Sequence, residues 1–129
     1  MTQRDSVLFK SGWLSLAIIG LAILVFGLIT TAVPASSDSP YMRAIGVASI
    51  GMGLFGLLIT TIAYRRRERW AWFALWYYPL FWTAHLLGGL PPGKDHDHQV
   101  VFIILSLVGL LLPVREFFPR REAREPTTS

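Results

Sequence analysis

The stretch Trp70–Leu90, Trp-Ala-Trp-Phe-Ala-Leu-Trp-Tyr-Tyr-Pro-Leu-Phe-Trp-Thr-Ala-His-Leu-Leu-Gly-Gly-Leu, contains 21 residues and no Asp, Glu, Lys or Arg. It follows directly on the Arg-rich segment 65–69, and the helix-breaking run Pro91-Pro92-Gly93 follows it. A hydrocarbon core of roughly 30 Å is crossed by about 20 apolar residues in a helix. The stretch therefore predicts a transmembrane helix over residues 70–88.

Three further apolar segments, at residues 12–33, 42–64 and 99–114, accompany this helix. The first has the alternative of a signal peptide cleaved near Ala35, but its uncharged run exceeds the usual core of about 7–15 residues, which favours an uncleaved helix. The last is short, so it either starts within the preceding Asp/His segment or needs Arg115 to reach the interface. Four such segments predict an all-α membrane protein, an antiparallel four-transmembrane-helix bundle.

The composition of the 129 residues supports this fold class: 53% are hydrophobic, 16% are charged, and the mean hydropathy is +0.48. Length predicts a single domain over residues 1–118, with a disordered cytoplasmic tail over 119–129. The chain has no cysteine, which excludes disulfides, iron–sulfur clusters and thiol catalysis. The net charge of +4 is explained by arginines beside the spans, so no nucleic-acid partner is expected.

The distribution of basic residues predicts the topology. Ten of the twelve Lys and Arg residues fall on the side that holds both termini and the 65–69 turn, and only Arg43 and Lys94 fall on the other. Basic residues accumulate in cytoplasmic loops. Both termini are therefore predicted to lie in the cytoplasm.

Small residues recur along the second helix at steps of three and four. In lipid, helices associate by close backbone approach along such residues. We expect this seam to pack against the first helix, which offers Gly20 and Gly27, or against a second protomer or a larger membrane complex. The seam comprises Gly46, Ser49, Gly53, Gly56 and Thr60.

The third helix carries an aromatic face with two hydrogen-bonding side chains, Tyr78 and His85. Pro79 has no N–H, so the Leu75 carbonyl is released and the helix is expected to kink. Such a face could bind a flat lipophilic molecule, whereas the alternative is interfacial tryptophans and ordinary helix packing. The predicted ligand-binding residues are Trp76, Tyr78, Phe81, Trp82 and His85.

Two polar segments suggest further sites. Asp95, His96, Asp97 and His98 offer imidazole and carboxylate ligands for Zn²⁺, Cu²⁺ or Ni²⁺, with His85 as a further candidate. The alternative is that an aspartate caps the fourth helix and the histidines are solvated. The basic turn predicts contacts with anionic lipid headgroups, with orientation alone as the alternative. Its residues are Arg65, Arg66, Arg67 and Arg69.

The predicted spans carry no Asp, Glu, Lys or Arg away from their ends, which argues against ion-coupled transport and against carboxylate catalysis within the bilayer. We therefore expect a non-enzymatic membrane protein that binds a partner or a lipophilic small molecule along the third helix. Metal binding by the outer Asp/His segment and a structural role in a membrane complex are the alternatives. No cofactor is indicated.

Residues 64–76, Tyr-Arg-Arg-Arg-Glu-Arg-Trp-Ala-Trp-Phe-Ala-Leu-Trp, with Pro79 and the later Pro113-Val114-Arg115-Glu116-Phe117-Phe118, resemble small uncharacterised prokaryotic four-helix integral membrane proteins. In these proteins an Arg-rich turn runs into Trp-Ala-Trp. The resemblance covers mainly residues 64–118. It implies a four-span architecture in a prokaryotic cytoplasmic membrane and no particular activity.

Overall fold

The computed structural model describes residues 3–33, 39–89 and 96–120, except for the side chains of Asp5 and Ser39, and this part of the chain is all-helical. An all-α fold is thus confirmed. Two helical segments, Ser6–Ala32 with 27 residues and Pro40–Tyr64 with 25, are long and apolar enough to cross a membrane. The helices are α1 (Gln3–Ala32), α2 (Ser39–Leu58), a π-helical segment (Ile59–Tyr64), α3 (Arg69–Leu75), α4 (Tyr77–Leu87), α5 (Asp97–Leu111) and α6 (Val114–Phe117).

Several helix ends differ from the sequence prediction. Helix α1 begins at Gln3 rather than residue 12, because no Gly or Pro lies between residues 3 and 11 to stop it. Helix α5 begins at Asp97, inside the Asp/His segment. It ends at Leu111, close to Pro113, where the sequence predicted a helix to residue 114. Residues 121–129, most of the predicted tail, lie outside the described part of the chain.

Two irregular segments interrupt the helices that the sequence predicted as continuous. Residues Ile59–Tyr64 adopt a π-helix at the end of the second predicted helix. The third predicted helix is broken at Trp76 into α3 and α4. Trp76 lies one residue after Leu75, whose carbonyl has no donor at i+4 because that residue is Pro79.

Helices α1 and α2 pack closely and in opposite directions through glycines. A Cβ atom on Gly53 would lie 2.8 Å from the Gly20 carbonyl oxygen, and one on Gly27 would lie 2.7 Å from the Gly46 carbonyl oxygen. Distances this short mean that backbone touches backbone, which only glycine permits. At Gly46 and Gly53 the small-residue seam of α2 thus lies against α1 of the same chain, whereas Gly56 lies against Tyr78.

Helices α1 and α5 are also antiparallel. A Cβ atom on Gly12 would lie 2.9 Å from the Gly109 carbonyl oxygen, near the start of α1 and the end of α5. Tyr64 and Phe117 are buried at this end, and their ring centroids are 4.8 Å apart. The core is completed by Leu16, Ile19, Ile23, Ala63, Ala71, Leu75, Tyr78 and Leu110.

Large apolar side chains point away from the packed interior of the described helices. Ile29 is 61% exposed, Phe55 is 67% exposed and Leu80 is 65% exposed, while Gly20, Gly46 and Gly53 are buried. Soluble monomers rarely expose apolar patches of more than a few hundred Å². The outer surface of these helices is therefore suited to an apolar environment.

Candidate functional site

A pocket of about 170 Å³, called here the Tyr78 pocket, lies between the second predicted helix and the α3–α4 pair. Its lining is almost wholly apolar. The exposed side chains Phe55 and Tyr77 stand among its lining residues, so the pocket adjoins the outer surface of the helices. The lining residues are Met52, Phe55, Gly56, Ile59, Ala74, Leu75, Tyr77 and Tyr78.

Both irregular segments of the backbone border this pocket. Ile59 is the first residue of the π-helix, and Leu75 and Tyr77 flank the interruption at Trp76. A π-helix shifts the register of the side chains that follow it, and such segments occur frequently at functional sites. Two independent departures from regular helix therefore meet at one apolar pocket.

Tyr78 supplies a buried polar atom at the pocket. The residue is 2% exposed, and its hydroxyl lies directly against Gly56, where a Cβ atom would collide with it. Within the described residues this hydroxyl has no hydrogen-bond partner. Burying a hydroxyl without a partner costs about 1–3 kcal/mol. A ligand group that reached this hydroxyl and accepted a hydrogen bond from it would recover that cost.

A second buried hydroxyl belongs to Thr60, which is close in sequence to the pocket residue Gly56. Thr60, at four residues from Gly56, is fully buried, and its Oγ1 also has no hydrogen-bond partner within the described residues. The Nε1 atom of Trp76 shares this property. Unpartnered polar atoms therefore occur in both the π-helix and the interruption.

The predicted ligand-binding residues are divided among three places. Tyr78 lines the pocket, whereas the Trp76 ring packs edge-on against Trp72, with centroids 5.5 Å apart. The other three lie nearer the end of α4, where the Phe81 and His85 rings are 4.0 Å apart and the Trp82 ring contacts Phe102. His85 Nδ1 lies 3.0 Å from the Phe81 carbonyl oxygen, a local contact within its own helix.

Sequence reasoning missed the contribution of the second helix to the pocket. Met52, Phe55 and Ile59 recur at steps of three and four, so they share one face beside the small-residue seam. That spacing was a usable signal. The spacing marks a face of the helix without showing that this face lines a pocket together with α3 and α4.

The outer Asp/His segment is only partly described, since Asp95 lies outside the described residues. His96 Nδ1 lies 3.2 Å from Oε1 of the buried Gln99, and the His98 ring stands edge-on to Trp82 at 6.1 Å. Among the described residues, no three His, Cys, Asp or Glu side chains form a group that could hold a metal ion. The proposed metal site, Asp97 included, stays a prediction.

The basic turn is largely engaged within the chain. Arg67 Nε donates to Glu116 Oε2 at 2.9 Å, and Arg69 Nε donates to the Phe117 carbonyl oxygen at 3.2 Å. The Arg65 guanidinium lies 5.3 Å from the centre of the Trp13 ring. Three of the four predicted headgroup-binding arginines thus tie the turn to the two ends of the chain, while all four remain exposed.

The arrangement at the Tyr78 pocket suits binding better than catalysis, because an apolar lining with hydroxyls provides shape and hydrogen bonds without a strong acid or base. Neither the family models, nor the curated proteins, nor the solved structures compared with this chain match it. Its function is therefore inferred from the geometry of this pocket and from the character of the surrounding surface.

Proposed function

We propose that this chain is a non-enzymatic integral membrane protein that binds a lipophilic small molecule in the Tyr78 pocket. One observation carries the proposal: an apolar pocket of about 170 Å³ adjoins the outer apolar surface, and one of its lining residues is Tyr78, whose buried hydroxyl has no partner among the described residues. An apolar pocket with one or two placed polar groups is the usual form of a small-molecule site. Tyr78 would fix the orientation of the bound molecule.

The placement of large and small residues supports insertion into a bilayer. Glycines fill the α1–α2 contact, and leucine, isoleucine, valine and phenylalanine point outward. Helices in lipid pack in this way, because lipid offers apolar side chains the same environment as the protein interior. We propose four membrane-spanning segments in an antiparallel bundle, the third formed by α3 and α4 together.

The proposed membrane is the cytoplasmic membrane of a prokaryote, crossed several times with both termini in the cytoplasm. Support comes from the basic residues, ten of which fall on one side under this topology. The resemblance carried by residues 64–118 favours the same location. The lipid bilayer is therefore the first partner of the chain.

The absence of cysteine makes the topology directly testable. In the cysteine-free chain, Arg66→Cys is expected to resist a membrane-impermeant maleimide applied to intact cells, while Tyr41→Cys is expected to react. Both residues are exposed in the structure, so each introduced thiol is accessible on its own side of the membrane. Permeabilised cells provide the control, in which both variants are labelled. Labelling of Arg66→Cys in intact cells would contradict the cytoplasmic placement of the turn.

The size of the pocket defines the class of ligand. A buried apolar cavity of about 150 Å³ binds benzene, so a pocket of about 170 Å³ holds one ring or a short branched chain. A longer molecule would extend past Phe55 and Tyr77 toward the outer surface. The ligand is therefore a membrane-soluble molecule with a small head group that carries a hydrogen-bond acceptor.

Acetophenone and ethylbenzene test this ligand class, because they are matched in size and only the ketone accepts a hydrogen bond. We expect both to raise the Tm of the detergent-solubilised protein. Acetophenone is expected to bind about fivefold more tightly, since a net hydrogen bond contributes about 1 kcal/mol. Tyr78→Phe is expected to bind the two molecules equally.

A filled pocket provides the second arm of this experiment. Ala74→Trp places an indole into the lining and is expected to abolish the rise in Tm with both molecules. The matched control is Ala84→Trp, an exposed alanine on α4 that does not line the pocket. Equal affinities of the wild type for the two molecules, or an undiminished response of Ala74→Trp, would refute the site.

A further inference from the structure

A second concave surface lies where the start of α1 meets the junction of α5 and α6. It is a groove of about 640 Å³, lined among others by Arg4, Leu8, Leu111, Leu112, Arg115 and Glu116. These residues come from opposite ends of the chain, which the antiparallel packing of α1 and α5 brings together. We call it the Arg4–Arg115 groove.

The groove carries net positive charge. Its single carboxylate among the described lining residues, Glu116, accepts a hydrogen bond from Arg67 Nε at 2.9 Å and is neutralised by that pairing. Arg4 and Arg115 are both exposed, so their charges are available to bind an anion. Guanidinium groups bind phosphate oxygens through several N–H donors at once.

The remainder of the groove is apolar. Leu111 is 52% exposed and Leu112 is 41% exposed, and both stand beside the half-buried Leu8. Arg4 and Leu8 are one turn apart on α1, so charged and apolar lining residues follow each other along one face of that helix. A cationic end joined to an apolar wall matches a molecule with an anionic head and a hydrocarbon chain.

We propose that the Arg4–Arg115 groove binds one anionic phospholipid, with its phosphate at the two arginines and an acyl chain along Leu8, Leu111 and Leu112. The inference rests on the membrane placement proposed above, and it is independent of the Tyr78 pocket. Under that topology the groove faces the cytoplasmic leaflet, where anionic lipids attract basic segments. This assigns lipid recognition to two arginines outside the basic turn, whose Arg67 and Arg69 are already paired.

The test uses the full chain in a nonionic detergent at low ionic strength. Native mass spectrometry counts bound palmitoyl-oleoyl phosphatidylglycerol, with the phosphatidylcholine of the same chains as the uncharged reference. We expect one phosphatidylglycerol to bind in preference to phosphatidylcholine. Arg4→Gln with Arg115→Gln is expected to weaken phosphatidylglycerol about 25-fold, because each basic residue near an anionic group contributes about fivefold.

The matched control removes two other charges from the same end of the molecule. Arg66→Gln with Arg120→Gln is expected to change the affinity by less than about twofold, because both residues are exposed and neither lines the groove. An equal loss in the two double variants would overturn the proposal in favour of diffuse attraction. Equal binding of the two lipids would overturn it as well.

Two further arms separate a lipid site from a site for free phosphate. Leu112→Trp keeps every charge and obstructs the apolar wall, so it is expected to weaken phosphatidylglycerol, and an unchanged affinity would contradict the acyl-chain contact. Glycerol 1-phosphate at millimolar concentration is expected not to displace the lipid, and displacement would mean that the arginines bind phosphate alone. Absence of preferential phosphatidylglycerol binding to the wild type, with an intact acetophenone response, would overturn the groove and leave the Tyr78 pocket standing.

Discussion

Replacement of Gly53 by leucine is expected to lower the free energy of unfolding by about 3 kcal/mol or more, the upper range for overpacked sites. A Cβ atom at this position would lie 2.6 Å from the Leu24 amide nitrogen and 2.8 Å from the Gly20 carbonyl oxygen. Both are backbone atoms, so neither can rotate away as a side chain could. The helices must separate, and separation removes the close contact that holds α1 to α2.

Gly51 is the matched control for this experiment. It lies two residues away on the same helix, and a Cβ atom there would have no neighbour within 4 Å. Gly51→Ala is expected to leave stability unchanged or to raise it by about 0.5–1 kcal/mol, since alanine favours the helix. Titration with SDS from mild detergent measures both variants. Similar stabilities for Gly53→Leu and the wild type would show that the α1–α2 contact is not formed as described.

Replacement of Tyr64 by alanine is expected to cost about 4 kcal/mol, the range for removing a buried aromatic side chain. The side chain is fully buried, with its ring centroid 5.6 Å from that of Phe9 and 4.8 Å from that of Phe117. Its hydroxyl donates to the Gly109 carbonyl oxygen at 2.5 Å. One residue thereby joins the end of the π-helix to α1, α5 and α6. Tyr41→Ala, at a position 68% exposed, is the control and is expected to cost less than about 0.5 kcal/mol.

The hydroxyl of Tyr64 has a distinct role that a double-mutant cycle can isolate. In a regular helix the Gly109 carbonyl would receive the N–H of residue 113, but Pro113 has none. Tyr64→Phe is therefore expected to cost about 2 kcal/mol, because it leaves a buried carbonyl without this donor. In a Pro113→Ala background the backbone donor is restored, and the same substitution is expected to cost less. An equal cost of Tyr64→Phe in both backgrounds would refute the compensation.

The two concave sites depend on the core in different ways. The Tyr78 pocket is lined in part by Gly56, which lies against the Tyr78 hydroxyl, so a larger residue at this glycine would displace that hydroxyl. The Arg4–Arg115 groove instead depends on α1 beginning early enough to include Arg4, and on the pairing of Glu116 with Arg67. Substitutions at one site are therefore expected to leave binding at the other intact.

The sequence by itself determined the helical class and the positions of the apolar segments. Runs of 20 or more uncharged residues and the Gly and Pro residues at their ends are local signals, because hydrophobic length and missing N–H groups act within one segment. The seam of α2 was predicted for the same reason, since steps of three and four place small residues on one face. Pro79 in the sequence predicts that the third helix is interrupted, but it does not predict that the interruption falls at Trp76.

Only the tertiary structure decided which faces meet. Periodicity gives the direction of a side chain around its own helix, but it cannot say that Met52, Phe55 and Ile59 line a pocket together with residues of α3 and α4. Likewise, Pro113 shows in the sequence that the Gly109 carbonyl lacks its helical donor. Only the structure shows that the donor is the hydroxyl of Tyr64, which lies 45 residues before Gly109. Pairing over such distances depends on how helices rotate and slide to pack, and that is a property of the whole assembled chain.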